Sequence, residues 1–256
     1  MRNAFLVEGR PTLVAMLKTG NLESTLREIE LVLEEGTDAF GFQIDLFEPS
    51  ERTRENFAKV FAAMKGKPVY ITNYVNNNPV QHTDEELVEE LMVAAECGGT
   101  MLIDIRGDLF DRSPMEYSTD PVAVQKQKDV IAKFKSMGAE VIMSIHTGCH
   151  LPVEKVLEMA AAEEERGADV LKIVTTSYSE EEQINCFGIT AALKKAVHKP
   201  MLYLCSGSHC KMHRILTPAV DCSLMLVVEN SREGENQPTL KRAKEVLTLA
   251  GYQNLP

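Results

Sequence analysis

The chain has 256 residues, of which 44% are hydrophobic and 25% charged, with six cysteines and a formal net charge of −11. That acidic balance, with no Lys/Arg cluster, argues against nucleic-acid binding. The longest apolar runs, such as Leu224 to Val228, are far too short to cross a bilayer, which argues against a membrane protein. Irregularly spaced cysteines in a chain this long do not make a disulfide framework, and the opening MRNAFLVEGR has no secretory signal, so a reduced, cytoplasmic setting is the expectation.

In chain order, strand-like apolar runs appear at Thr12–Leu17, Ala39–Asp45, Pro68–Thr72 and Thr100–Arg106. They continue at Glu140–His146, Asp169–Thr175, Pro200–Cys205 and Val220–Val228. Amphipathic helical stretches alternate with them: Leu22–Glu35, Ser50–Lys65, Asp84–Glu96, Pro121–Met137, Pro152–Arg166, Glu180–His198, Cys210–Leu216 and Leu240–Ala250. Gly36, Gly66, Gly98, Gly138 and Gly167 fall just past helix ends, and Pro121 and Pro152 near helix starts.

Eight strand–helix units in about 250 residues is the count of a (β/α)8 TIM barrel. A doubly wound sheet would show a glycine-rich phosphate turn after an early strand, whereas Leu17 is followed by KTGNLEST. No linker or repeat divides the chain. The expectation is one barrel domain over residues 1–256, with a short N-terminal extension at residues 1–10.

In such a barrel alternate strand residues point inward, and chemistry gathers at the strands' C-terminal ends. Parity then selects candidates: Gly41, Gln43 and Asp45 on the second strand, and Leu102, Asp104 and Arg106 on the fourth. The fifth strand offers Ile142, Ser144 and His146, and the sixth Val170, Lys172 and Val174. A lysine in an apolar strand is costly unless it is paired or loses its proton. As a neutral amine, Lys172 could form a Schiff base with a ketone, with His146 moving protons beside it. The plainer alternative is a structural ion pair between Lys172 and Asp104 or Asp45.

The segments SIHTGCHLPVEKVLEMAAAEEERGADVLKIV, FGFQIDLFE and IDIRGDL resemble type I 3-dehydroquinate dehydratase, a Schiff-base (β/α)8 lyase of the shikimate and quinate pathways. The resemblance runs from RPTLVAML to the last helix and is strongest between the fifth and sixth strands. It implies that Lys172, after Gly167-Ala168-Asp169, forms the imine and that His146, ending Ser144-Ile145-His146, is the acid/base. It further implies that Arg214 in CSGSHCKMHR binds the substrate carboxylate, with Gln237 on a covering loop from Asn230 to Pro238. Within that stretch the family's serine beside the arginine is His213.

Departures from the family pattern are numerous. Gly41 and Gln43 replace a glutamate and an arginine, with Asp45 retained, and Tyr74 and Asn78 replace an arginine and a glutamate after the third strand. Arg106 replaces a glutamate, Thr147 the carboxylate beside the histidine, and Glu233 a serine. Gln43, Asp45, Tyr74 and Asn78 are therefore the expected substrate-binding positions along with Arg214 and Gln237. The expected substrate is 3-dehydroquinate or a closely related hydroxy-keto acid, a small carboxylate-bearing ketone. The mechanism implies no metal and no organic cofactor. Family members are often dimers, so a homodimer is the assembly the resemblance suggests.

Two rivals stay open. The clusters His146, Cys149, His150 and His209, Cys210, His213 could ligate a metal in a metal-dependent hydrolase or lyase. Alternatively, the stripped strands could belong to a non-catalytic barrel. The acidic run AAAEEERGAD is expected to be the solvated end of a helix.

Overall fold

Eight parallel strands, each followed by a helix, form the sheet of a nearly closed (β/α)8 barrel in the computed structural model, which describes residues 4–75, 78 and 81–256. The strands are β1 (Thr12–Met16), β2 (Ala39–Gln43), β3 (Val69–Thr72), β4 (Met101–Arg106), β5 (Glu140–His146), β6 (Val170–Thr176), β7 (Met201–Ser206) and β8 (Leu224–Val227). The helices are α1 (Leu22–Glu35), α2 (Arg54–Ala63), α3 (Asp84–Ala95), α4 (Pro121–Ser136), α5 (Val153–Arg166), α6 (Glu180–Ala196), α7 (Lys211–Asp221) and α8 (Leu240–Leu249). Hydrogen-bonded order runs β7-β6-β5-β4-β3-β2-β1-β8, and at the remaining seam the Ser223 N–H donates to the Met201 carbonyl at 3.0 Å.

Local chemistry explains the element ends. Asn21, Thr53, Thr83, Asp120, Ser179 and Thr239 each accept a backbone N–H in the first turn of the following helix, and Thr83 with Glu86 completes a reciprocal capping box. Gly167 closes α5 in the left-handed region, φ 99°, where a side chain would be strained.

Burial separates two cores, as period-2 alternation requires. One lies between sheet and helices and contains Phe42, Phe47, Phe57, Ile103, Ile145 and Ile173. The other fills the barrel: Val14, Met16, Tyr70, Leu102, Ile142, Val170, Val174, Leu202, Leu204, Leu224 and Leu226. Phe5 joins this inner core, and the N–H groups of Ala4 and Phe5 donate to the Glu140 carboxylate. Part of the expected extension at 1–10 thus packs on the barrel, while residues 1–3 lie outside the described residues.

Two expectations are corrected. The eighth strand does not begin at Val220: α7 continues through Pro218 to Asp221, and the strand is Leu224–Val227. The run AAAEEERGAD is not simply solvated, because Glu163 and Arg166 are buried. They sit three residues apart on the helix face that meets the sheet, where Arg166 donates to the Gly107 and Ser118 carbonyls and to Gln127.

Candidate active site

Lys172 projects from β6 into the barrel, 4% exposed, one strand from Ser144 in register. Its Nζ donates to Tyr74 Oη at 2.7 Å, Tyr70 Oη at 2.9 Å and Asp104 Oδ2 at 3.3 Å. Both phenols donate their single proton to the same Asp104 oxygen, Tyr74 at 2.6 Å, so each can only accept from the amine. Ser144 Oγ donates to the other Asp104 oxygen and lies 3.2 Å from Tyr74 Oη. Burial first, and the Asp104 charge next, push both phenols well above the usual tyrosine range, so they remain proton donors. The ion pair with Asp104 therefore exists, and the amine that makes it also lines a cavity.

That cavity, about 350 Å³, opens at the C-terminal end of the strands. It brings together Lys172, His146, Arg214, Gln237, Gln43 and Tyr74, all drawn from the sequence, with a floor including Met16, Val174, Leu204 and Leu226. Asp45 and Asn78 do not line it. Asp45 falls in a short 3₁₀ turn beyond β2, fully buried, and accepts from Thr72 Oγ1 at 3.3 Å. Asn78 accepts from Arg52 at 3.1 Å.

Glu116 is the residue that sequence reasoning missed. The family pattern places a carboxylate beside the histidine, but Thr147 turns away and donates to the Cys149 carbonyl. Glu116 reaches in from the loop between β4 and α4 instead, its Oε2 2.6 Å from His146 Nδ1. Burial pushes this carboxyl up, but the His146 contact, Arg106 and Lys172 outweigh it and hold the group below its usual range. The backbone at Glu116 is left-handed, φ 49°, an uncommon conformation for a non-glycine residue. Arg166 pins both ends of this loop through Gly107 and Ser118, and Tyr117 packs under the same guanidinium. A β-carbon on Gly107 would meet the Glu116 carbonyl at 2.8 Å, so this close approach requires glycine.

Other cavity residues went unselected, Tyr70 and Lys18 among them. Tyr70 shares the inward parity of Thr72 on β3, a signal available in the sequence. Lys18, just past β1, donates to Gln43 Oε1 at 3.0 Å, and its burial pulls the amine below the usual lysine range. Arg214 is held by donation from Nε to the Cys205 carbonyl at 2.7 Å, and burial lowers its guanidinium too. The missing glutamate on β2 is explained by volume. A β-carbon on Gly41 would lie 2.1 Å from Met16 Sδ, so Met16 occupies that space.

The His/Cys clusters weighed as a rival metal site do not assemble among the described residues. His213 is fully buried against Tyr203 and Phe187, with its Nε2 near Thr190, and burial lowers it to about 4. Among the described residues no three His, Cys, Asp or Glu side chains converge on a common point. Among the described residues no helix is long and apolar enough to cross a membrane.

Comparison with known proteins agrees with this architecture. The chain is 20% identical over 246 residues to the 3-dehydroquinate dehydratase of Aromatoleum aromaticum, covering 93% of this chain and 90% of that protein. The 3-dehydroquinate dehydratase of Geobacillus kaustophilus superposes with a TM-score of 0.82 at 17% identity, over 97% of this chain and 95% of the other. The type I enzyme of Clostridium difficile, solved with covalently modified comenic acid, gives the same TM-score and identity over 95% and 94%. The sequence model of the type I 3-dehydroquinases matches residues 13–254. With that match running from within the first strand to beyond the last helix, the chain belongs to the type I 3-dehydroquinase family.

Proposed function

We propose that this lyase dehydrates 3-dehydroquinate, or a closely related hydroxy-keto acid, through an imine on Lys172. The observation that carries the proposal is the meeting of the Lys172 amine, the His146 imidazole and the Arg214 guanidinium on a single cavity.

The Lys172 lone pair attacks the ketone carbon. Its ammonium must first give up a proton, and Tyr74 bridges the amine to Asp104 and Ser144, a relay that starts at the reacting nitrogen. The carbinolamine loses its hydroxyl as water to give an iminium. That cation withdraws electrons from the neighbouring carbon, whose proton His146 takes as general base to leave an enamine and a protonated imidazole. The enamine electrons then expel the hydroxyl from the carboxylate-bearing carbon, with His146 supplying the proton that makes it water. Hydrolysis of the conjugated imine returns Lys172 and releases the enone acid. Glu116 fixes the orientation of His146 and favours the imidazolium as it forms, the role a buried carboxylate takes beside a catalytic histidine. Arg214 holds the carboxylate, and Lys18 with Gln43 and Gln237 contacts the ring's polar edge.

The test is steady-state formation of the conjugated enone from 3-dehydroquinate, followed by ultraviolet absorbance. Wild-type protein should turn over, and Lys172→Met should fall to background while remaining folded. Undiminished turnover by Lys172→Met would overturn the proposal.

A further inference from the structure

The catalytic cavity has a second chamber that the dehydration chemistry leaves unused. It is about 470 Å³ and shares Glu116, His146, Val174 and Arg214 with the first. Beyond that common wall it is lined by Arg106, Arg112, Ser113 and Ser206, among others.

Arg106 is the informative residue. It ends β4, is 7% exposed, and stands where the family pattern carries a glutamate, so the charge at this inward position is reversed. Its Nε and Nη2 donate to Asp108 Oδ1 at 2.9 and 2.5 Å. Nη1 is buried with no acceptor among the described residues. A buried guanidinium normally places all its donors, and planar, fork-shaped donors suit carboxylate and phosphate oxygens.

The neighbours reinforce that chemistry. Arg214 has no carboxylate partner among the described residues. Arg112 is spoken for in part by Asp84 at 2.8 Å but remains substantially exposed. The two acidic groups of the wall are already engaged, Asp108 by Arg106 and Glu116 by His146. Register gives the span: Arg106 and Lys172 both align with Ser144, one from each side, so their backbones are two strands, about 9–10 Å, apart.

We propose that this outer chamber is an anion subsite centred on Arg106, which receives a second carboxylate or phosphate from a keto acid bound as an imine at Lys172. The proposal rests on the reading of Lys172 given above. It places among the ketones accepted here those with a second anionic group, a class that a glutamate at this position would repel.

The first experiment is calorimetric titration of the full chain with inorganic phosphate and, separately, acetate, which needs no catalysis. Saturable binding should be weakened at least tenfold in the charge-balanced variant Arg106→Met/Asp108→Asn and in Arg112→Gln, with melting temperatures near wild type for the latter. The stronger of the two ions identifies phosphate or carboxylate as the preferred group. The second is borohydride trapping with 2-oxoglutarate and with 2-oxobutyrate, which lacks the distal carboxylate. Half-maximal trapping should need at least tenfold less 2-oxoglutarate in wild type, and the preference should vanish in Arg106→Met/Asp108→Asn. Absent saturable binding, or binding unchanged in both variants, would overturn the subsite. Anion binding without a trapping preference would assign it to a free anion and overturn the link to substrate. Trapping of neither keto acid, with phosphate still bound, would count against the imine instead.

Discussion

Replacing Tyr74 by phenylalanine removes one oxygen that touches three groups: Lys172 Nζ at 2.7 Å, Asp104 Oδ2 at 2.6 Å and Ser144 Oγ at 3.2 Å. Two of those partners are charged, and hydrogen bonds to charged groups contribute about 1.5–3 kcal/mol each. Tyr74 is only half-buried at the cavity wall, so water can replace part of what is lost, and the net cost to stability should be about 1–2 kcal/mol. The rate should suffer more. If Tyr74 passes the proton that Lys172 must lose and regain, its removal should lower kcat about 100-fold, equivalent to about 2.7 kcal/mol at 1.36 kcal/mol per decade. KM should change little, because the phenol contacts the amine rather than the carboxylate. The comparison is Tyr70→Phe, which loses equivalent bonds to Lys172 and Asp104 from a deeper, 2% exposed position. Tyr70→Phe should lower the melting temperature more and kcat less. The assay is steady-state kinetics with thermal melts on both variants. Folded Tyr74→Phe with kcat within threefold of wild type would refute the relay.

Glu116→Gln keeps the shape of the side chain but removes the charge facing His146 Nδ1. It should lower kcat about tenfold to 100-fold with KM nearly unchanged, and an unchanged kcat would show that the pair is only structural. Glu163, fully buried on α5 and accepting the Lys172 backbone N–H at 3.1 Å, has its carboxyl pushed well above the usual range, first by burial. The folded state therefore holds a proton that the unfolded chain releases near its ordinary value. Stability from this group is full at acid pH and declines as pH rises between the two values. Glu163→Gln should flatten that decline in melts from pH 5 to 8, and parallel curves for variant and wild type would contradict it. Gly41→Ala places a methyl 2.1 Å from Met16 Sδ and should destabilise by about 1–3 kcal/mol. Met16→Ala in the same chain should recover part of that loss in a double-mutant cycle, and simple additivity would remove the volume argument.

Much of the fold was legible because its signals are local and repeated. Periodicity set the eight units, and boundary residues such as Pro121 at a helix start and Gly167 past a helix end placed those ends within a residue or two. Inward parity was enough to bring Lys172, His146 and Gln43 to one cavity, because register in a parallel barrel converts sequence position into height. The end of α7 was not legible, since Pro218 and the apolar residues after it read as a strand start while the helix runs on. Asp45 kept strand parity only on paper: the chain leaves β2 at Gln43 and turns the carboxylate out of the cavity. Glu116 could not be found by period at all. It lies in an irregular loop, 30 residues from its histidine, and its position depends on Arg166 from a third element. The loss of a carboxylate at Thr147 was the one hint that another group had to serve His146.

The imine mechanism requires Lys172 to be a nucleophile and not merely the cation of a buried pair with Asp104. Borohydride reduction of the protein with 3-dehydroquinate, followed by peptide mass mapping, tests it directly. The expected result is a stable adduct on Lys172, absent without the ketone and absent in Lys172→Met. An unmodified Lys172 in protein that turns the substrate over would contradict it.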